Sequence, residues 1–323
     1  MRIGIAGLVA FVLSVGAAWS FGTIKGLGQN MEHERITRHA LACTDAPSAD
    51  CFEKKTLDSL AGAPGDFGAV GAPDRGALVF HAPAHCDGGD YFGVPGYPQS
   101  KADARAKIED CRAWMASHMD EAVASAGALL DAKGRIKDSE IPTIIACRYV
   151  GAKGRAKCNV LEHFGIVLHA AQDFYSHTNW TDQADANAPP SPLNPPGLNK
   201  RGRSPYIDLR KAGAFPAGLI SGCFETKSAI SEPANCNYGK VALPRVKHLA
   251  LNKDKGTIDP EIGAGTTDRG KINDNFRRAV EAAIEDTRDK WATLKERLAT
   301  TYGAERAAKM ICALTRDKPA KSC

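Results

Sequence analysis

The sequence predicts an all-α protein with long irregular loops, and three observations carry that expectation. Aromatic residues make up only 7% of the 323-residue chain, whereas glycine alone fills 31 positions. Such a composition suits close-packed helices better than strands rich in aromatic side chains. Several segments repeat apolar residues at three- and four-residue intervals, the period of one helix face. Proline and glycine gather between those segments and punctuate them. Hydrophobic residues at 43% and charged residues at 24% place the chain among globular proteins and exclude disordered and collagen-like classes.

Taken in order, residues 32–41 place Ile36, Ala40 and Leu41 on one helical stripe. Residues 62–90 are rich in Gly, Pro and Asp and read as a loop system. Residues 102–130 repeat Ile108, Trp114, Met115, Ala122, Val123, Ala126, Leu129 and Leu130 with helical spacing. A further helix is expected to start within residues 141–149. Residues 161–180 contain no proline and one glycine, and read as a long buried helix. Six prolines between residues 189 and 205 then require an irregular loop. Residues 241–270 read mostly as loop. Phe276, Ala279, Val280, Ala283, Ile284, Trp291, Leu294 and Leu298 mark an amphipathic helix over residues 275–298, and a short one follows over residues 304–314.

The charge balance, 42 basic against 37 acidic residues, gives +5. Spread over this length and without an arginine-rich tract, it argues against a nucleic-acid partner. The start of the chain is more informative. Arg2, an apolar run over residues 3–15 and the small residues Gly16, Ala17 and Ala18 read as a secretory signal peptide over residues 1–18, leaving residues 19–323 as a single domain. An uncleaved anchor is the competing reading, and cleavage after Ser20 competes with cleavage after Ala18. Ten cysteines, an even number without Cys-x-x-Cys spacing, favour disulfides over a thiolate metal site. Pairing of sequence neighbours (43–51, 86–111, 147–158, 223–236, 312–323) is the simplest arrangement, although spacing alone does not determine connectivity. Five bridges would imply a secreted or periplasmic location.

Chemistry concentrates in one segment, Leu168-His169-Ala170-Ala171-Gln172-Asp173-Phe174-Tyr175-Ser176-His177-Thr178-Asn179-Trp180. His169, Asp173 and His177 stand at i, i+4 and i+8, on one face of a helix whose other positions are apolar or small. Buried ionisable groups need partners. A divalent cation would satisfy two imidazoles and a carboxylate together; a metal-free His-Asp-His hydrogen-bond ladder is the alternative. His163 lies about 120° around the same helix and is expected to be packing or surface. Gly165, one turn before His169, would leave room for an ion or substrate.

The stretch His169 to Trp180 resembles the signature of the zinc-dependent phospholipase C superfamily, in its branch of fungal heterokaryon-incompatibility protein C and bacterial CinY-like secreted proteins. Glu32-His33-Glu34-Arg35-Ile36-Thr37 resembles the family's N-terminal histidine motif, Pro73-Asp74 its Pro-Asp element, His85-Cys86-Asp87 its His-x-Asp element, and the Asn252-Lys253-Asp254 stretch after His248 the branch's Asn-Lys-Asp segment. The resemblance implies a phospholipase C-like helical fold around two to three zinc ions. It implies Trp19 as a zinc-binding amino terminus, and His33, Asp74, His85, His169 and Asp173 around paired zinc. His177 and His248 would serve another ion. Asp74 would be the catalytic base or hydroxide-orienting group. The expected activity is hydrolysis of a phospholipid or other phosphodiester by zinc-activated water, with peripheral membrane contact. The loop over residues 189–205 would rim the cleft, and its Arg201 and Arg203 would meet phosphate. The alternative is a non-catalytic, metal-stabilised binding or accessory protein of the heterokaryon-incompatibility type. One departure bears on both readings: His248 is followed at the fourth position by Asn252, where the phospholipases carry an acid.

Overall fold

A computed structural model describes residues 21–323 apart from residues 24, 27–28, 45–47, 64–65, 143–146, 150, 212, 225–235 and 239–242. Trp19 and the signal-peptide boundary lie outside the described residues.

The long helix foreseen around the His-Asp-His segment runs over Ala156–His177 (α5), and all its residues but Asn159 and His163 are buried. No side chain of its own N-cap residue closes its start. The Glu140 carboxylate accepts the Ala156 N–H at 2.7 Å and does so from a distant turn. Thr178 ends the helix in extended backbone, three residues short of the expected end.

The other helices are arranged about α5. These are α1 (Glu32–Leu41), α2 (Lys54–Ala61), α3 (Ala82–His85), α4 (Lys101–Ala126), α6 (Asp268–Lys271), α7 (Asn275–Tyr302), α8 (Ala304–Thr315) and α9 (Pro319–Ser322). Helix α5 packs between α4 and α7, while α1 lies on α7 and α3 sits on α4 and α5. Ser100 caps α4 by accepting the Asp103 N–H at 3.1 Å. Acids in the first turn of α1 and Arg38 and His39 in its last complement the helix dipole. One apolar cluster, including Phe21, Ile36, Ile108, Phe164, Trp291 and Leu314, unites these helices.

Extended structure is confined to two antiparallel two-stranded ladders among the described residues. β1 (Lys25–Gly26) pairs with β2 (Gln29–Asn30), and β3 (Asn237–Tyr238) with β4 (Leu243–Pro244). The loop system over residues 62–90 contains short 3-10 turns, Ala72–Asp74 and Gly76–Phe80, besides α3. The helix expected to start within residues 141–149 is not present in the described part of that stretch. Its apolar run is too short for periodicity to separate helix from loop.

All five cysteine pairs are sequence neighbours: Cys43–Cys51, Cys86–Cys111, Cys147–Cys158, Cys223–Cys236 and Cys312–Cys323. Five disulfides fit an oxidising extracellular or periplasmic compartment. Among the described residues no helix is long and apolar enough to cross a membrane.

Candidate metal centre

His169, Asp173 and His177 point from α5 into the interior and are essentially without solvent exposure. His33 arrives from α1, Asp74 from the 3-10 turn Ala72–Asp74, and His85 from α3. Four imidazoles are each oriented by the nitrogen that faces away from Asp173. His169 Nδ1 donates to the Val70 carbonyl at 2.8 Å, and His177 Nδ1 to the His85 carbonyl at 2.7 Å. His85 Nε2 donates to the Leu78 carbonyl at 3.1 Å. His33 Nδ1 donates to Gln172 Oε1 at 2.7 Å. The amide nitrogen of Gln172 is committed to the Thr37 and Thr287 hydroxyls at 3.0 and 3.1 Å, so its oxygen is left as the acceptor. Each ring in its neutral form therefore directs a lone pair inward, the tautomer that an outer hydrogen bond imposes on a metal-ligating histidine.

Those lone pairs converge. Asp173 Oδ1 stands 3.2 Å from His33 Nε2 and 3.9 Å from His177 Nε2. Asp173 Oδ2 stands 3.0 Å from both His169 Nε2 and His85 Nδ1, which are themselves 3.1 Å apart. Asp74 Oδ1 lies 3.7 Å from His169 Nε2 and 3.9 Å from His85 Nδ1. Two lone-pair nitrogens and a carboxylate oxygen at such range repel unless a proton or cation lies among them. His33 Nε2 and Asp173 Oδ1 are buried and make no hydrogen bond. This donor set fits a cation: His33, His169 and Asp173 form one group that could hold a metal ion, and Asp74, His85 and His169 form another.

A third group adjoins these two. Asp87, His177 and His248 lie within ligand reach of one another. Asp254 Oδ1 is 3.1 Å from His177 Nε2, and Asp254 Oδ2 is 3.1 Å from His248 Nε2. His248 Nδ1 faces Asp87 Oδ1 at 3.2 Å. Asp254, six residues after His248, thus supplies a carboxylate to that ring. A buried network holds it in place. Lys253 pairs with Asp182 at 2.9 Å, and Asp182 also accepts from Arg269 Nε at 2.9 Å. Lys253 Nζ donates in addition to the carbonyls of Thr178 and Leu251. Cys86, between His85 and Asp87, is bridged to Cys111 on α4, so one disulfide anchors a ligand of each neighbouring group.

Electrostatics in the centre follow from the crowding. Burial would raise Asp173, but the neighbouring His169, His177 and His33 hold it well below the usual carboxylate range. Burial would lower His85, but the hydrogen bond and charge of Asp173, with Asp74 and Asp87, raise it to about 9. Burial lowers His169 despite Asp173. Burial would also lower His248, yet Asp87 and Asp254 raise it well above the ordinary imidazole value. A cation bound among these groups would have to displace the protons that the raised rings hold.

No protein-family model, curated protein or solved structure matches this chain. The site therefore rests on its own geometry. The structure brings His33, Asp74, His85, His169, Asp173, His177 and His248 together in one buried cluster; Trp19 lies outside the described residues. Asp87 and Asp254 complete the cluster and were not among the sequence-derived ligands. Their signals were present in the His85-Cys86-Asp87 and Asn252-Lys253-Asp254 stretches.

Two expectations need correction. Gly165 leaves no room for an ion, because the backbone of Ala69 lies against it. Arg203 is not free for phosphate: its guanidinium faces Asp208 at 3.4 Å and Asp289 at 3.3 Å. Pro189, Ser191, Leu193 and Asn194 of the proline-rich loop line a groove of about 630 Å³ with Leu249 and Arg269, and no residue of the cluster lines it. His163 is half-buried and faces His118, away from the cluster, as its helical position requires.

Proposed function

We propose that this chain is an exported zinc-dependent phosphodiesterase with a phospholipid as its substrate class. The carrying observation is Asp173, toward which four imidazoles direct lone pairs and which links adjoining three-residue groups. The phospholipase C-like sequence pattern and the five disulfides support the same reading. His33, His169 and Asp173 would hold one ion, with Asp74 and His85 joining His169 for a second. Asp87, His177 and His248, with Asp254, would hold a third. When bound, the cations supply positive charge to the phosphoryl oxygens and lower the pKa of a water toward neutrality. Asp74 accepts the Thr23 hydroxyl through Oδ2, which turns Oδ1 toward His85 and His169. In this role Asp74 orients the attacking water and takes its proton. The orienting bonds to Val70, His85, Leu78 and Gln172 would fix the tautomer and the aim of the imidazoles toward such cations.

The test is metal content by elemental analysis with hydrolysis of phosphatidylcholine and single-stranded DNA. Asp173→Asn is expected to lose metal and turnover together, and Asp74→Asn to lose the ion held with His85 and His169 and turnover with it, while the group on His177 and His248 stays loaded. A zinc-loaded protein inert on both substrates would overturn the catalytic reading. One observation favours the alternative of a metal-stabilised binding protein: no ligand exceeds 7% exposure, and closed sites are characteristic of structural metal. That reading expects metal-dependent stability without hydrolysis.

A further inference from the structure

A second constellation of histidines lies outside the buried centre and takes no part in it. His118 on α4 and His163 on α5 are half-buried, and their Nδ1 atoms face each other at 2.9 Å. The Trp114 ring stands edge-on to His118 at a centroid distance of 4.2 Å, and His81 packs on Trp114 at 4.5 Å. His163 precedes His169 by six residues, about 9 Å along α5 and about 120° around it. The pair therefore cannot share an ion with the cluster on Asp173.

We infer that His118 and His163 form a separate two-histidine binding site for a divalent transition-metal cation, clamped between α4 and α5, with water completing its coordination. Two nitrogens each about 2.0–2.1 Å from one ion stand about 2.9 Å apart at a right angle and about 3.3 Å apart at the tetrahedral angle. The observed separation falls at the right-angle value, which suits tetragonal copper or nickel, and a small opening of the rings would admit zinc. Two imidazoles from packed helices are a donor pair that such cations accept, leaving the remaining positions for water. Burial, together with the neighbouring His163 and His81, lowers His118 to about 4; burial likewise lowers His163, against the charge of Glu121. Both rings are neutral near pH 7 and offer lone pairs without first losing a proton. The competing account is a single N–H···N hydrogen bond, which predicts no uptake of cation.

The experiment uses the tag-free full-length protein, saturated with zinc and dialysed, then titrated with Cu²⁺ by calorimetry and by tryptophan fluorescence. The expected result is one equivalent bound beyond the zinc retained by the buried centre, with quenching of Trp114 emission. His118→Gln and His163→Gln each weaken that equivalent by roughly tenfold or more, and the double variant loses it while keeping its zinc. Trp114→Phe keeps the binding and loses the quenching, which locates the ion without altering either histidine. Uptake confined to the zinc centre, or equal uptake by a folded double variant, overturns the site. Quenching that survives in Trp114→Phe overturns its placement.

Discussion

The carbonyl of Val70 accepts the Nδ1–H of His169 at 2.8 Å, and Gly165 makes that contact possible. A Cβ at residue 165 would run into the backbone of Ala69, the residue before Val70. The same segment leads within four residues to Asp74. A glycine one turn before a histidine therefore sets both the tautomer of His169 and the approach of the Asp74 turn. Gly165→Ala should displace that segment, cost on the order of 2–4 kcal/mol through overpacking and loss of the orienting bond, and weaken metal binding by roughly 10–100-fold. Thermal melts and metal content read both effects. A variant with unchanged metal content would show that Val70 does not orient the ligand.

Removing metal should destabilise the fold, because the clustered donors come from α1, the turn Ala72–Asp74, α3 and the Asp87 that follows it, α5 and the segment over residues 248–254. A cation that binds only the folded state at about 1,000 times its Kd adds about 4 kcal/mol. A chain of this size should then melt on the order of 10 °C lower in excess chelator. Asp173→Asn should melt near the chelated wild type and respond little to chelator. Equal melting temperatures with and without chelator would remove the metal from the account.

Asp254 and Asp74 separate the groups. Of the clustered histidines, Asp254 faces His177 and His248, with the Ser176 hydroxyl also donating to its Oδ1, while Asp74 faces His85 and His169. Asp254→Asn should lose about one equivalent of metal, the expectation for one ligand group among adjoining groups, and leave the His33, His169 and Asp173 group loaded. Loss of all metal in that variant would mean that the groups fill as a unit.

The long helices and the spacing on α5 were legible in the sequence because they depend on local periodicity. The centres of α4, α5 and α7 follow from runs that no proline interrupts. Their ends were less legible: α5 begins five residues early because Glu140, sixteen residues upstream, closes its start. The i, i+4, i+8 pattern identified the axis of the site, and the local cysteine pairs are those of nearest spacing. Asp254 escaped because its position depends on the buried Lys253, Asp182 and Arg269 network, which joins segments distant in sequence. At Gly165 the sequence shows the missing Cβ and not the Ala69 backbone that occupies its place. The bonds of Arg203 to Asp208 and Asp289 are likewise a tertiary fact.

Lys157, in the first turn of α5, yields a pH prediction independent of metal. Its side chain is buried and donates to the Thr56 hydroxyl at 3.0 Å and the Arg316 carbonyl at 2.7 Å. Burial lowers its pKa to about 7, with Asp317 and Glu53 only partly opposing. Below pH 7 the amine is charged in both folded and unfolded chains, and the cost of burying it is present in full. Between pH 7 and the ordinary lysine value of about 10.4 the unfolded chain binds the extra proton, so this group makes stability rise with pH, by about 1.4 kcal/mol per unit at the limiting slope. Lys157→Met removes the titration. Urea unfolding of wild type and variant at pH 6, 7, 8 and 9 should show a constant difference up to about pH 7. Above it, the difference should move steadily in favour of the wild type. A difference independent of pH across that range would mean that Lys157 remains charged in the fold, paired with Asp317 or Glu53 closely enough to offset its burial.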